Sequence, residues 1–119
     1  MVYAFGDLLL LSLAFSDASA SKRRPILVVF DNQDADILAV PITSQAARSS
    51  WDVRLKEWRG AGLRLPSPAR VAKLTTVARQ GVLRRLGYLR EPDATETLKV
   101  LRLFLREIAE TADSAPKHG

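Results

Sequence analysis

The apolar residues of this chain fall into short runs separated by polar turns, a pattern that indicates a mainly β protein. Residues 8–15 follow a Gly6-Asp7 turn, and residues 26–30 form a continuous apolar run typical of a buried strand. Because a residue before proline avoids the helical region, we expect Arg24, which precedes Pro25, at the entrance of that second strand. Further strand-like segments follow at residues 37–42, 52–55, 70–77 and 83–89.

The end of the chain changes to a helical period. A helix is predicted over about residues 92–112, with Asp93 as N-cap and Glu96 in the capping-box position. We expect its apolar face to pack on the core. Because the face is wide, the alternative is that part of it also contacts a partner protein. The whole pattern predicts a small, strongly bent antiparallel barrel of six or seven strands with a C-terminal helix. We expect one domain over residues 1–112 and a flexible tail over residues 113–119. The helix face consists of Leu98, Leu101, Leu105 and Ile108, widened by Val100, Leu103 and Phe104.

The first apolar run also resembles the core of a secretory signal, followed by an Ala18-Ser19-Ala20 cleavage motif. A signal carries positive charge before its core, whereas here Asp7 precedes the run and no Lys or Arg does. A strand that leads into a polar loop at residues 16–22 is therefore the favoured interpretation.

Composition narrows the possible functions. The 119 residues carry a net charge of +5, and the pI is about 10.1. Within residues 48–90 only Asp52 and Glu57 oppose eleven arginines and lysines. A polyanionic partner and an ordinary solvated basic surface both explain this excess. The longest apolar run is too short to span a bilayer, so no membrane association is expected.

Several kinds of catalytic site are excluded or disfavoured. There is no cysteine, and the single histidine is His118, so a thiolate nucleophile and a histidine metal site are not expected. The cluster Asp31, Asp34 and Asp36 lacks the glycine and distal glutamate of a calcium loop, which favours a polar turn. Arginines and hydroxyls remain, and these suit RNA cleavage, in which the substrate's own 2′-OH is the nucleophile.

Three segments in order resemble the MazF/PemK family of toxin endoribonucleases from type II toxin–antitoxin systems. The first is GDLLLLSLAFSDASASKRRPILVV at residues 6–29, similar to the family's opening strand, loop and Arg-Pro element. The second is LAVPITSQ at residues 38–45. The third comprises LPSPARVAKLTTV and LRRLGYL within residues 65–89.

The resemblance implies an SH3-like barrel that forms a homodimer in the cytoplasm and cleaves single-stranded mRNA at short specific sequences, without a metal or other cofactor. By position, Arg24 would contact the scissile phosphate, Thr43 would hold it by hydroxyl and amide, and Arg70 would act as acid or phosphate ligand. Asp17 is the carboxylate available as proton acceptor. Lys22, Arg23, Ser44, Gln45 and Lys73 would bind RNA beside these residues.

The chain also departs from the family pattern, which leaves other functions open. Many relatives carry an acidic residue where this chain has Ala72. Weak activity, or an inactive homologue that binds RNA or antitoxin, is therefore an alternative, as is a gyrase-binding toxin of the related CcdB type. A cognate antitoxin with an acidic, partly disordered segment is the expected protein partner. Trp51 and Trp58 are candidates to stack on bases, and core or interface packing is the favoured role for at least one of them.

Overall fold

The structure is a computed structural model that describes residues 1–14 and 21–118. These residues form seven strands and a C-terminal helix, so the predicted mainly β fold with a terminal helix is confirmed. Two short 3₁₀ turns, Val71–Lys73 and Arg79–Gly81, flank the sixth strand. The elements in chain order are β1 (Asp7–Ala14), β2 (Ser21–Phe30), β3 (Asp36–Pro41), β4 (Asp52–Arg54), β5 (Pro68–Arg70), β6 (Thr75–Ala78), β7 (Val82–Tyr88) and α1 (Glu91–Ser114).

The larger sheet has five antiparallel strands in the order β6-β3-β2-β1-β7. A cluster of buried apolar side chains covers each face of this sheet. Adjacent residues of β1 contribute to different clusters: Leu8 packs in one and Leu9 in the other. This two-sided burial explains why β1 and β2 have continuous apolar runs instead of alternating ones. Strand β2 begins at Ser21, earlier than the sequence pattern suggested, because Ser21 to Arg24 pair with β1.

The smaller sheet consists of β4 and β5, and a single bridge between Ile42 and Ala69 connects it to the end of β3. The segment between β4 and β5 lies directly against β7. A Cβ on Gly62 would come within 2.3 Å of the Leu86 carbonyl oxygen, and one on Gly87 within 2.2 Å of the Ala61 oxygen. Gly62 also has a φ of +99°, so both close approach and backbone conformation require glycine there.

Helix α1 packs its first half on the core and leaves its second half exposed. Val100 and Leu101 are buried, whereas Leu105 and Ile108 are 46% and 48% exposed. The predicted N-cap role of Asp93 is wrong, because the cap is Arg90 and Asp93 lies inside the first turn. The Asp93 carboxylate is buried and accepts hydrogen bonds from the backbone N–H groups of Lys56 and Glu57, at 2.8 Å each. It therefore fastens the β4–β5 segment to the helix.

The acidic segment after β2 is a polar turn, as its sequence favoured. Asp31 accepts from the backbone N–H groups of Tyr3 and Gln33 and pairs with Arg79, so its oxygens are occupied. Across residues 1–14 and 21–118 no group of three acidic or histidine side chains converges as metal ligands do. No helix in the described part of the chain is long and apolar enough to cross a membrane.

Candidate active site

Pro25 ends the pairing of β2 with β3 and thereby sets the position of Arg24. The Pro25 carbonyl accepts a hydrogen bond from the N–H of Ile42 at 3.1 Å. Proline has no N–H to donate to Ile42, so the regular β2–β3 pairing ends at Ile26 and Pro41. Arg24 still pairs with Leu11 of β1. The expectation that Arg24 stands at a strand entrance is therefore wrong, because Arg24 lies inside β2, which begins at Ser21 and pairs with β1. Arg24 lies instead two residues beyond the last β2–β3 pair, Ile26 and Pro41, next to where the chain leaves β3.

Thr43 begins the segment that leaves β3. Its backbone N–H donates to the Pro68 carbonyl at 3.1 Å, and its Oγ1 accepts the N–H of Gln45 at 3.1 Å. The implied use of the Thr43 amide for phosphate binding is not supported, since that N–H already has a partner. The hydroxyl proton of Thr43 has no acceptor among the described residues and can donate to a ligand.

Arg70 is buried on β5, directly after the Ile42–Ala69 bridge. Its Nη1 donates to Oδ2 of Asp52 at 3.2 Å, and its Nη2 donates to Oε1 of Gln45 at 3.3 Å. The Arg70 and Asp52 side chains are only 10% and 4% exposed. These partners give Arg70 the surroundings of a positioning residue and do not favour the implied direct contact with phosphate.

The basic residues of β2 are open to solvent and, like several other arginines of the described chain, are not in ion pairs. Lys22, Arg23 and Arg24 are exposed, and none has an ion-pair partner within residues 1–14 and 21–118. An unpaired, exposed guanidinium is available to an incoming anion. Within the part of the chain that the structure describes, ion pairs join Arg70 to Asp52, Arg79 to Asp31, and Arg85 to Asp7.

An open groove of about 820 Å³ has Ser44, the residue after Thr43, in its lining. Gln45 and Trp58 both line it, so a polar amide and an indole face one space. Sequence reasoning missed two basic contributors, Arg54 and Lys56; the alternation at residues 52–55 was the available signal. The remaining lining residues are Ala46, Ala47, Leu55, Leu65, Pro66, Ser67 and Pro68.

The two tryptophans have different surroundings. Trp51 packs against Phe104 of α1 with ring centroids 5.1 Å apart, which is the packing role that the sequence favoured for one tryptophan. Trp58 lines the groove, and the guanidinium of Arg59 lies 4.9 Å from its ring centroid. Trp58 is therefore the tryptophan that a ligand in the groove can reach.

The other candidate residues lie around this centre. Lys73 and Ala72 are exposed on the 3₁₀ turn that follows Arg70. Asp17, the candidate proton acceptor, lies outside the described residues. Among the acidic groups, Arg79 and the N–H groups of Tyr3 and Gln33 hold the pKa of Asp31 well below its usual range. Asp31 is therefore ionised near neutral pH, and its hydrogen bonds give it a structural role.

The chain matches a known protein family and a curated relative. Residues 4–105 match the family described as the PemK-like, MazF-like toxin of type II toxin–antitoxin systems. A protein named as a probable endoribonuclease MazF, from Mycolicibacterium smegmatis, is 32% identical over 92 residues, which cover 74% of this chain and 84% of that protein.

Solved structures share the fold. A MazE–MazF crystal structure from Deinococcus radiodurans superposes with a TM-score of 0.72 at 20% identity, covering 88% of this chain and 96% of the matched one. An endoribonuclease in complex with its cognate antitoxin, from a mycobacterial species, gives a TM-score of 0.71 at 17% identity and covers 87% and 95% of the two chains. The sequence matches, together with the shared fold, show that this chain belongs to the PemK-like, MazF-like toxin family of type II toxin–antitoxin systems.

Proposed function

We propose that the chain is an endoribonuclease toxin that cleaves single-stranded RNA without a metal ion. The observation that carries this proposal is the position of Arg24. It is exposed, it has no ion-pair partner among the described residues, and Pro25 sets it beside the segment that begins at Thr43. A cation and a hydroxyl donor on adjoining backbone suit a phosphate group.

The reaction needs alignment and charge stabilisation more than a protein nucleophile. The 2′-oxygen of the substrate attacks phosphorus, the bond to the 5′-oxygen breaks, and a 2′,3′-cyclic phosphate and a 5′-OH result. Arg24 stabilises the charge that builds on the phosphoryl oxygens, and the Thr43 hydroxyl donates to one of them. Asp17 is the proposed acceptor of the 2′-OH proton, and solvent water supplies the proton that the departing 5′-oxygen takes up. Arg70 acts through Gln45, because its guanidinium is engaged by Asp52 and Gln45.

RNA on either side of the scissile phosphate would use the groove and the basic end of β2. Arg54 and Lys56 supply charge along the groove, and Trp58 offers an aromatic surface to a base. Ser44 also lines the groove and would offer its hydroxyl to the RNA. Lys22, Arg23 and Lys73 are exposed and would add salt-dependent attraction to neighbouring phosphates.

The proposed partners follow from the same surfaces. Relatives of this fold have been solved as a MazE–MazF complex and as a complex with a cognate antitoxin, and we extend an antitoxin partner to this chain. An acidic antitoxin segment would complement the basic groove. The exposed Leu105 and Ile108 on the second half of α1 support a homodimer in which a second copy covers them. A cytoplasmic site of action is part of this proposal.

A second candidate function is RNA binding without cleavage. It is favoured by Ala72, which is exposed beside Arg70 where many relatives have an acidic residue. One assay separates the two functions. The purified protein is incubated with a long unstructured RNA in EDTA, and the ends are mapped. Cyclic-phosphate ends support the enzyme, intact RNA that stays bound supports the second candidate, and intact unbound RNA contradicts both.

A further inference from the structure

The side-chain amide of Gln45 has a fixed orientation. Nη2 of Arg70 lies 3.3 Å from its Oε1. A guanidinium can only donate hydrogen bonds, so the atom of the amide that faces it must be the carbonyl oxygen. The Nε2 group is then turned away from Arg70, and none of the described residues accepts a hydrogen bond from it.

Arg70 can hold this amide because Arg70 is itself fixed. Oδ2 of Asp52 accepts both Nη1 of Arg70, at 3.2 Å, and the backbone N–H of Arg48, at 2.8 Å. At the other end of the segment, the N–H of Gln45 is held by the Thr43 hydroxyl oxygen. Residues 43–48 are therefore anchored at both ends, with the Gln45 side chain between the anchors.

Gln45 is exposed and lines the same groove as Trp58. Because Gln45 and Trp58 line one groove, a base that lies against Trp58 shares that space with the Gln45 amide. Two N–H donors with no competing acceptor favour a base edge that carries a carbonyl oxygen over one that carries an amino group. Uracil and cytosine differ in this way at position 4, where uracil has an oxygen and cytosine an amine.

We propose that Gln45 is a base-reading residue, oriented by Asp52 and Arg70, that makes the groove prefer uracil over cytosine. The proposal rests on the proposed function in one respect, namely that single-stranded RNA occupies this groove. It goes beyond that function in two ways. Base selectivity is assigned to the Gln45 amide, and the orientation of that amide is assigned to the buried Asp52–Arg70 ion pair. Asp52 and Arg70 act as positioning residues for this readout.

The test measures binding without cleavage. Fluorescence anisotropy with labelled oligouridylate and oligocytidylate is recorded in an Arg24→Ala background, so that the RNA stays intact. One unmatched donor or acceptor is worth roughly a factor of ten in affinity, so we expect about tenfold tighter binding of oligouridylate. Gln45→Ala should bring the ratio to about one. Gln45→Glu keeps an acceptor for Arg70 but turns an acceptor toward the groove, so it should abolish or reverse the preference.

Gln80→Glu is the matched control, because Gln80 is exposed on the turn between β6 and β7 and should leave the ratio unchanged. In the same Arg24→Ala background, Arg70→Met should lower the ratio and should have no further effect when combined with Gln45→Ala. Because Arg70 is buried and its loss could unfold the chain, the exposed Gln45 variants carry the test.

The outcomes distinguish this proposal from the proposed function. An unchanged ratio in both Gln45 variants overturns base reading and leaves RNA binding intact. Failure of both the parent and the Arg24→Ala protein to bind either oligonucleotide overturns base reading together with RNA binding. If the ratio depends on Gln45 but the parent protein cleaves no RNA, base reading is supported and only the endoribonuclease proposal is contradicted.

Discussion

The guanidinium of Arg70 and the carboxylate of Asp52 form a buried ion pair beneath the candidate site, with Nη1 and Oδ2 3.2 Å apart. The pair joins β5 to the start of β4. The same carboxylate oxygen accepts the N–H of Arg48, and the same guanidinium holds Gln45. One ion pair therefore supports both the smaller sheet and the segment that borders the groove.

Asp52→Ala should destabilise the protein by about 3 kcal/mol, because it leaves the Arg70 guanidinium buried without its counter-charge. Urea unfolding followed by circular dichroism measures the change. Asp36→Ala is the control, since Asp36 is an exposed carboxylate without an ion pair in the described chain. The double variant Asp52→Ala/Arg70→Met should recover part of the loss. Equal stabilities for the two alanine variants would contradict the role given to this pair.

Gly62→Ala and Gly87→Ala should each destabilise the protein by about 2 kcal/mol or more, because the new methyl group would overlap a backbone carbonyl. Thermal unfolding measures the effect. Gly60→Ala is the control, since its Cβ would approach most closely the flexible Arg90 side chain, at 3.2 Å. If all three variants had the same unfolding temperature as the parent, the β4–β5 segment would not pack closely on β7.

Acid should weaken the attachment of the N-terminal segment. The pKa of Asp31 is lowered by Arg79 and by the Tyr3 and Gln33 N–H groups, so folding favours the ionised form. Its contribution to stability is complete above the ordinary value of 3.8 and is lost as the pH falls below that value toward the lowered one. We expect the unfolding temperature of the parent to fall on acidification below pH 4 more steeply than that of Asp31→Asn. Parallel curves for the two proteins would show that Asp31 makes no such contribution.

RNA binding should depend on salt through the basic end of β2. Each phosphate contact on a single strand contributes about −0.7 to the slope of log affinity against log salt. Lys22→Ala and Arg23→Ala should each make the slope shallower by about that amount. Arg106→Ala, on the exposed half of α1, should not change it. Slopes that respond equally to all three substitutions would mean that the RNA follows no defined path on the protein.

Much of the fold could be predicted because local signals carry it. The apolar runs of β1 and β2, the turn at residues 31–36 and the helical period after residue 92 are all visible in the sequence. The error at Asp93 has a physical origin. A capping-box pattern is local, but this carboxylate is used by the N–H groups of Lys56 and Glu57, far away in sequence. Tertiary contacts of this kind overrule a local preference.

The candidate site could be predicted only in part. Arg24, Thr43 and Gln45 come from the sequence, and the fold brings their segments together through the Pro25–Ile42 and Thr43–Pro68 hydrogen bonds. The role of Asp52 could not be predicted, because its pairing with Arg70 depends on the register of β4 against β5. The groove was missed for a similar reason, since Gln45 and Trp58 share it only through the folding of the β4–β5 segment.

The central claim is that Arg24 stabilises charge on the scissile phosphate, and single-turnover cleavage of a defined RNA tests it most directly. Loss of one preorganised charge-stabilising group costs about 10²–10³ in rate. We predict that Arg24→Ala slows cleavage by at least this factor, that Arg24→Lys recovers part of it, and that Arg106→Ala cleaves at the parent rate with cyclic-phosphate ends. Cleavage by Arg24→Ala at the parent rate would contradict the account.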